Sequence, residues 1–421
     1  MILIKNGHIV DPVTETDGVA DILIDDGTIR AVGENLSAEK AEVIDATGLY
    51  VSPGLTDTHV HFRDPGFTYK EDIETGAAAA AKGGVTTVVL MANTKPVVDN
   101  IETLSYIQEK GEKTGIHVLS TATVTKGMAG DELVDMDALA TAGAAGFTDD
   151  GLPIMDEALL YRAMQKAVEL DLPMALHEED PKFIDAPGVN KGAVSEKIGY
   201  GGASALAEEV MVARDTAIAL ETGASLCIQH ISSARSVSYV RAAKSMGGDI
   251  HAEATPHHFS LTEEAVLTYG TNARMNPPLR TEADRQAIIE GIKDGTIDMI
   301  VTDHAPHSAE EKARPMKDAP SGITGLETSF ALGIRYLVEP GHITLMQLLR
   351  LMSTNPALFY RMEPASVREG AVADLFIYGP EEIWKVDHFA SKASNSPFFG
   401  WELPGRIHYT ICRGKIVYEE N

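Results

Sequence analysis

Between residues 51 and 362, short apolar runs rich in Val, Ile and Leu alternate with longer amphipathic stretches rich in Ala. This rhythm is typical of βα units, in which parallel strands are covered by the helices that connect them. Eight of the runs have the length of a strand, and eight parallel strands close a (β/α)8 barrel. We therefore predict an α/β fold of the TIM-barrel type, with strands at residues 49–56, 85–91, 116–122, 144–148, 173–177, 225–230, 249–253 and 298–302.

The stretches between these runs predict helices, and several follow a residue type that caps helix N-termini. Asp156, Ser204 and Thr281 are such caps. Residues 304–325 mix Pro, Gly, Ser and charged residues without periodicity, so we expect a long loop after the eighth strand. The predicted helices span residues 70–82, 101–114, 156–170, 204–221, 234–246 and 282–293.

Both ends of the chain differ from the middle, because they contain short β-rich runs separated by turn signals such as Asp25-Asp26-Gly27. We expect residues 1–50 and 363–421 to combine into one small antiparallel β-sandwich module beside a barrel domain of residues 51–362. The β-rich runs span residues 2–4, 22–24, 29–32, 373–378, 407–412 and 415–418.

The net charge of the chain limits the kinds of molecule that it can bind. Its 35 basic and 62 acidic side chains give a formal net charge of -27, which repels nucleic-acid phosphates and anionic lipid headgroups. We therefore expect no nucleic-acid partner and no membrane partner. A negatively charged substrate would need arginine, histidine or metal ions close to its site to overcome this charge.

Two features indicate a cytoplasmic protein. The two cysteines, Cys227 and Cys412, are far apart in the sequence and do not suggest a disulfide framework. The N-terminus becomes polar too early for a signal peptide, and no apolar run approaches the roughly 20 residues of a membrane span.

Active sites of (β/α)8 barrels lie at the C-terminal ends of the strands, so the residues that end each strand are informative. After the first strand, His59 and His61 are two residues apart, point the same way and can hold one ion. Other strand ends add further Asp and His residues. Each alone could be a turn residue, a helix cap or a hydrogen-bonded polar group, but together they form the ligand set that ions such as zinc take. These residues are Asp150, His177, His230 and Asp303.

The six candidate ligands exceed the four of a structural zinc site and include no cysteine. Two metal ions with open coordination positions fit such a set better. A pair of this kind needs a bridging ligand that holds the ions roughly 3.5–4 Å apart. A carboxylate suits that role, and Asp150 is our candidate.

Two runs resemble the signature motifs of dihydroorotases in the amidohydrolase superfamily. One is Asp57-Thr58-His59-Val60-His61-Phe62-Arg63, and the other is Thr302-Asp303-His304-Ala305-Pro306-His307, followed five residues later by Lys312. The resemblance extends over essentially the whole chain. Many superfamily members bridge their metals with a carbamylated lysine near the end of strand four. This chain has no lysine between Lys126 and Lys166, so it is similar to the bacterial class I subgroup that bridges with aspartate.

The resemblance implies two zinc ions per chain and a role for each ligand. It assigns His59, His61 and Asp303 to the first ion. It assigns His177 and His230 to the second ion, and Asp150 as the bridge between the two.

Substrate contacts are implied around the metals as well. A guanidinium such as that of Arg63 can bind a carboxylate with two parallel hydrogen bonds. Asn276 directly precedes Pro277 and Asn93 lies three residues before Pro96, so both could instead be turn residues. We interpret His257 and His258 as hydrogen-bonding loop residues, because six ligands already saturate two zinc ions. The implied substrate-binding residues are His61, Arg63, Asn93, Asn276 and His307, with Ser321 and Gly322 contacting the ring through backbone groups.

The implied activity is that of a cyclic amide hydrolase. It is the reversible zinc-dependent interconversion of N-carbamoyl-L-aspartate and (S)-dihydroorotate, a step in de novo synthesis of the pyrimidine nucleotide UMP. Asp303 would be the catalytic residue, taking a proton from the attacking water and passing it to the departing ring nitrogen.

Two alternatives remain open from the sequence. An allantoinase or a hydantoinase would be expected to carry the strand-four lysine. A non-catalytic dihydroorotase-like scaffold for aspartate transcarbamoylase would be expected to lose metal ligands. The resemblance also implies a homodimer and allows association with aspartate transcarbamoylase.

Overall fold

The computed structural model describes residues 1–420 of the chain. Its strands are β1 (Ile2–Asp11), β2 (Thr16–Asp25), β3 (Thr28–Gly33), β4 (Glu42–Asp45), β5 (Tyr50–Pro53), β6 (Leu55–Val60), β7 (Val85–Leu90), β8 (His117–Ser120), β9 (Met174–Leu176), β10 (Leu226–Ile228), β11 (Ile250–Ala254), β12 (Met299–Ile300), β13 (Leu375–Gly379), β14 (Trp384–Lys385), β15 (Glu402–Leu403), β16 (Arg406–Cys412) and β17 (Lys415–Glu419). Its α-helices are α1 (Ile73–Lys82), α2 (Ile101–Gly111), α3 (Met136–Thr141), α4 (Glu157–Leu170), α5 (Ala193–Lys197), α6 (Ala205–Thr222), α7 (Ala234–Ser245), α8 (Pro256–Ser260), α9 (Ala265–Tyr269), α10 (Glu282–Lys293), α11 (Ala309–Lys312), α12 (Ser329–Gly333), α13 (Leu345–Leu349) and α14 (Asn355–Phe359). Short 3-10 helices span Lys126–Met128, Pro181–Phe183 and Gly270–Ala273, and short π-helices span Ile334–Val338 and Arg350–Thr354.

A closed ring of parallel strands forms the centre of the molecule. β6, β7 and β8 pair in parallel on one side, and β9 to β12 pair in parallel on the other. Phe147 joins the two groups through parallel bridges to Ala122 and Met174, and a parallel bridge between Val60 and His304 closes the ring. The predicted α/β barrel is therefore confirmed, with α4, α6, α7 and α10 among the helices that connect its strands.

Two of the predicted barrel strands differ in the structure. The first, residues 49–56, is wrong as a single barrel strand, because the chain divides at Gly54 into β5, which joins the sheet of the chain ends, and the barrel strand β6. A Cβ atom at Gly54 would lie 2.1 Å from Oγ1 of Thr86 in β7, so the close approach to that strand requires glycine. The fourth, residues 144–148, is represented by the bridges at Phe147 rather than by a regular strand.

The two ends of the chain pair with each other in one sheet. Its strand order is β17-β16-β13-β5-β1-β2-β3, and β4 also pairs with β1. Because β4 and β5 run parallel to β1, the sheet is mixed, and the prediction of an antiparallel sheet is wrong in this respect. The physical reason is that the chain crosses over after β3 instead of continuing as hairpins. Side chains of its strands, including Ile4, Ile22, Leu375 and Ile411, form a separate buried apolar cluster.

The helix boundaries follow local capping. The helix predicted from residue 70 begins at Ile73, because Asp72 accepts a hydrogen bond from the backbone nitrogen of Thr75 and the Thr75 hydroxyl accepts one in return. The capping box therefore moves the start of α1 by three residues relative to the apolar pattern.

The three predicted caps, Asp156, Ser204 and Thr281, are confirmed, since each side chain accepts a backbone N–H from the helix that follows it. Cys227 and Cys412 are buried free thiols. Within residues 1–420, no helix is both long and apolar enough to cross a membrane.

Candidate functional site

The six predicted metal ligands gather at one end of the barrel. Each lies at the C-terminal end of a barrel strand or in the residues directly after it. All of them except His59 line one end of a cavity of about 310 Å³ that also reaches the loops following several strands. His59 lies in β6 and His61 just after it, Asp150 follows the bridge at Phe147, His177 follows β9, His230 follows β10 and Asp303 follows β12.

One half of the site combines His59 and His61 with two carboxylates. The Nε2 atom of His59 lies 3.5 Å from Oδ1 of Asp150 and 3.6 Å from Oδ1 of Asp303. The Nε2 atom of His61 lies 3.5 Å from Oδ2 of Asp150 and 2.9 Å from Oδ1 of Asp303. Two imidazoles and two carboxylates therefore direct their ligand atoms to one small volume.

The other half of the site contains His177 and His230. Nδ1 of His177 and Nε2 of His230 are 3.0 Å apart, and each of these atoms lies 3.8 Å from Oδ1 of Asp150. Asp150 thus belongs to two groups of potential metal ligands, one with His59 and His61 and one with His177 and His230. The two groups therefore share the Asp150 carboxylate.

The hydrogen bonds of His61 test whether these residues fit a metal ion. Asn93 donates from Nδ2 to Oδ2 of Asp150 at 3.0 Å, so its Oδ1 accepts the proton on Nδ1 of His61 at 3.0 Å. Burial lowers the pKa of His61. With its proton on Nδ1, the neutral ring turns the lone pair of Nε2 towards Oδ1 of Asp303, 2.9 Å away. Two ligand atoms this close can share one cation. The donor set of nitrogen and oxygen atoms therefore fits a divalent metal ion.

His59 supports the same conclusion. Its Nδ1 atom is in a short hydrogen bond with Oε1 of Glu253, so Nε2 is the atom that points into the site. That Nε2 atom is buried and has no hydrogen-bond partner within the described part of the chain. A buried polar atom of this kind is normally satisfied, and a bound ion would satisfy it.

Carboxylates behind the histidines orient their rings, and the sequence reasoning missed them. Glu253 accepts from His59 and, at 3.3 Å, from the backbone nitrogen of His230. Glu179 lies with Oε2 3.1 Å from Nε2 of His177. Such partners select the ring tautomer that leaves the other nitrogen free to bind a metal. The available signal was a glutamate inside the apolar strand β11, between Ala252 and Ala254.

The electrostatic field of the site favours bound cations. Burial alone would lower the pKa of His59, but the carboxylates of Glu253 and Asp150 raise it well above its ordinary value. Burial would likewise raise the pKa of Asp150, yet the surrounding histidines hold it well below the usual range. The pKa of Asp303 is also lowered, because the histidines around it outweigh its burial. Both aspartates are therefore ionised at neutral pH.

The predicted substrate residues line the same cavity. Arg63 donates from Nε to the backbone oxygen of Pro306 at 3.4 Å, so its basic group lies beside the metal ligands. This places positive charge locally within a chain whose net charge is -27. The predicted residues in the lining are His61, Arg63, Asn93, Asn276, His307, Ser321 and Gly322.

Asn93 and His307 also have partners within the protein. Asn93 connects His61 to Asp150, so it is more than a turn residue. Nε2 of His307 donates to the backbone oxygen of Ser321 at 2.8 Å, and Nδ1 lies 3.3 Å from Nζ of Lys70. Burial and the nearby Arg63 lower the pKa of His307, so its ring is neutral.

Comparison with known proteins places this site in a family. The model of the amidohydrolase family matches residues 50–417. The chain is 58% identical to the dihydroorotase of Clostridioides difficile (strain 630) over 419 residues, which are 99% of this chain and 100% of that protein. The chain belongs to the dihydroorotases of the amidohydrolase family.

Further relatives agree with this family. The dihydroorotase of Clostridium acetobutylicum is 54% identical over 423 residues and covers 100% of both chains. Among solved structures, L-hydantoinase (dihydropyrimidinase) from Arthrobacter aurescens has a TM-score of 0.89 at 26% identity, covering 100% of this chain and 96% of that one. Dihydropyrimidinase from Brevibacillus agri NCHU1002 has a TM-score of 0.87 at 24% identity, with 99% and 95% covered, and so shares the fold.

Three residues of this dihydroorotase-family site have backbone angles that side chains rarely adopt. The φ angles are 59° at Arg63, 32° at His230 and 48° at Asp303. Each such conformation costs about 1–3 kcal/mol and persists where the surrounding structure enforces it. The structure around the barrel rim thus holds the backbone of these residues in conformations that it would not adopt alone.

His257 and His258 lie in α8, after β11. His258 is confirmed as a hydrogen-bonding residue, since its ring contacts the hydroxyl of Thr255 at 2.7 Å and the backbone oxygen of Pro277 at 3.0 Å. His257 is buried, and burial lowers its pKa to about 3. The interpretation of His257 as a hydrogen-bonding residue stays a prediction.

Proposed function

We propose that this chain is a dihydroorotase. It catalyses the reversible interconversion of N-carbamoyl-L-aspartate and (S)-dihydroorotate in de novo synthesis of UMP. The observation that carries this proposal is the 58% identity to a dihydroorotase over 99% of this chain and 100% of that protein. The cavity with Arg63 beside a cluster of metal ligands supports it, because the substrate is a carboxylate with a hydrolysable ring amide.

We further propose that the cofactor is a pair of zinc ions. His59, His61 and Asp303 would hold the first ion, and His177 and His230 would hold the second. Asp150 would bridge them, which its place in both ligand groups supports. Bound zinc would polarise the amide carbonyl and lower the pKa of water from 15.7 to about 7.

In this mechanism Asp303 moves the proton. Its carboxylate is ionised and lies 2.9 Å from Nε2 of His61, at the edge of the cavity. Asp303 would accept the proton of the attacking water and then donate it to the departing ring nitrogen. In the direction of ring closure, Asp303 would perform the same transfers in reverse order.

Residues around the cavity would hold the substrate in place. We propose that the guanidinium of Arg63 binds the substrate carboxylate, with Asn93 and His307 beside it. Because both ring nitrogens of His307 have partners in the protein, its contact with substrate would require one of them to be exchanged. Asn276 and the backbone of Ser321 and Gly322 would contact the ring.

An assay panel tests this function against its alternatives. Purified protein is incubated with dihydroorotate, allantoin and hydantoins, and ring opening is followed for each. We expect turnover of dihydroorotate and at most weak turnover of the others, which lack the carboxylate that Arg63 would bind. Preferred turnover of a hydantoin would favour the activity named for the Arthrobacter aurescens structure.

Metal analysis of the same preparation tests the non-catalytic alternative. Two zinc ions per chain are expected from the two ligand groups. Protein without metal and without activity, even after incubation with zinc, would support a scaffold.

The organisation of the protein is also a proposal. We propose a barrel of residues 51–362 and a sandwich-like module of residues 1–50 and 363–421. The protein would act in the cytoplasm as a homodimer, alone or in association with aspartate transcarbamoylase. Light scattering of the purified protein, with and without that enzyme, would test both assemblies.

A further inference from the structure

One wall of the cavity contains polar residues from two different loops. Arg274 and Asn276 follow β11 and α9, and Ser321 lies in the loop after β12. All three line the cavity together with five of the six candidate metal ligands. Arg274 is 5% exposed, so its guanidinium is a buried charge at this wall.

A chain of hydrogen bonds links these residues in one direction. Nη1 of Arg274 lies 3.1 Å from Oγ of Ser321, and that Oγ lies 3.0 Å from Oδ1 of Asn276. A guanidinium can only donate, so Oγ of Ser321 must accept from Arg274. The single hydroxyl proton of Ser321 is then available for Asn276, which accepts it at Oδ1.

The orientation of the Asn276 side chain follows from this order. With Oδ1 held by Ser321, the amide nitrogen is directed away from Ser321, and Asn276 lines the cavity. The two N–H groups of this amide are donors. At Asn276 the wall therefore presents hydrogen-bond donors to a substrate.

Arg274 itself is held in place by several loops. Nη1 also donates to the backbone oxygen of Ala319, and Nη2 lies 3.5 Å from the hydroxyl of Tyr200. A Cβ atom at Gly188 would lie 2.5 Å from Cγ of Arg274, so the loop after β9 packs directly on the side chain. The backbone oxygen of Arg274 accepts from the nitrogen of Gly322 at 2.8 Å. These contacts prevent the guanidinium from turning away from Ser321.

We propose that Arg274 and Ser321 are positioning residues that hold the Asn276 amide with its nitrogen towards the cavity. The wall then selects a substrate with an oxygen acceptor, a carbonyl or a carboxylate, at this position. This inference rests on the proposed function, since dihydroorotate and N-carbamoyl-L-aspartate are rich in such oxygens. It adds two residues that determine which atoms of the substrate can face Asn276.

Replacement of Asn276 by aspartate tests the direction of the amide. The introduced carboxylate would keep one oxygen for Ser321 but present its second oxygen to the cavity. N276D therefore replaces a hydrogen-bond donor at the wall with an acceptor. We expect KM for dihydroorotate to rise by about 100-fold, because a donor is lost and two acceptors face each other. A KM within about threefold of wild type would overturn the proposal, since it would mean that oxygen faces the cavity in the native protein.

Two further variants test the positioning residues. S321A removes the hydroxyl that holds Asn276, and R274M removes the donor that fixes the hydroxyl. In each, KM should rise about tenfold, the effect of one hydrogen bond, while kcat changes less than about threefold. Metal content per chain should equal that of wild type, because neither residue is a metal ligand.

Arg280 provides the matched control. It is 3% exposed, and it donates to Asn190 at 2.9 Å and Ser232 at 3.1 Å, but it does not line the cavity. R280M should lower Tm and leave KM within about twofold. If R274M also lowers Tm without raising KM, Arg274 is a structural residue and the proposal is wrong.

Different measurements test the proposed function and the roles of Arg274 and Ser321. Absence of dihydroorotate turnover in the zinc-loaded wild-type protein would refute the proposed function. Normal wild-type turnover with unchanged KM in N276D and S321A would refute the roles of Arg274 and Ser321 alone.

Discussion

Replacement of Asp303 by asparagine is the most direct test of the proposed mechanism. Asparagine has the same shape, so its oxygen can keep the position 2.9 Å from Nε2 of His61, but its amide cannot take up a proton. Asp150 cannot substitute, because it is shared by both ligand groups. A positioned general base contributes about 10²–10⁴ in rate, so kcat should fall by at least about 100-fold, or about 3 kcal/mol in activation free energy.

The assay measures kcat with dihydroorotate, metal content by elemental analysis and Tm for each variant. Asp298 at the opposite end of β12 gives a matched control, because it accepts from Nδ1 of His251 at 2.7 Å and from Nζ of Lys244 at 3.0 Å, away from the cavity. D298N should lose stability and keep kcat within about threefold. More than a tenth of wild-type activity in D303N with both metals bound would refute the role of Asp303 as the base. Loss of metal from D303N would instead assign it a purely ligating role.

Three other perturbations have expected outcomes. E253Q removes the charge that pairs with His59 and should weaken metal affinity about 10–100-fold, measured in competition with a chelator. The control E209Q alters a buried glutamate that is hydrogen-bonded to Ser233, and it should leave the metal affinity unchanged. Burial would lower the pKa of His251, but Asp249 and Asp298 raise it from 6.5 to about 9. Charged His251 therefore adds at most about 3 kcal/mol to the free energy of unfolding, and this contribution is complete below pH 6.5 and lost as pH rises to about 9. The free energies of urea unfolding of wild type and H251Q should converge over that range. A constant difference between them would contradict the assignment. Removal of metal by a chelator should lower Tm and abolish turnover, and zinc should restore both; full activity in metal-free protein would exclude the proposed cofactor.

The outcome at Gly54 illustrates why element boundaries were harder to predict than element types. An apolar run from 49 to 56 looks continuous in the sequence, because both sheets bury similar side chains. It is divided by the close packing of Gly54 on Thr86, a contact between segments 32 residues apart that no local pattern records. The mixed character of the end sheet has the same origin, since the chain direction of β4 and β5 depends on a crossover.

The residues around the candidate site divide in a similar way. The ligand types and their positions after strands could be recognised because side-chain alternation and strand ends are local properties of the sequence. Glu179 is only two residues from its partner His177. Glu253 and Arg274 could not be recognised, since each acts through a partner supplied by another strand or loop. Their roles depend on distances that only exist once the barrel has closed.

The sequence by itself thus determined an α/β barrel, a β-rich module from both chain ends, and a set of His and Asp residues directed to one rim, because periodicity and residue type encode these features locally. Only the tertiary structure decided that Asp150 lies between two histidine pairs, that Asn93 and Glu253 select the ring tautomers, and that Arg274 and Ser321 orient Asn276. The physical reason is that hydrogen bonds and shared ligands act over about 3 Å, whereas partners such as His59 and Glu253, or Ser321 and Asn276, are tens to hundreds of positions apart along the chain.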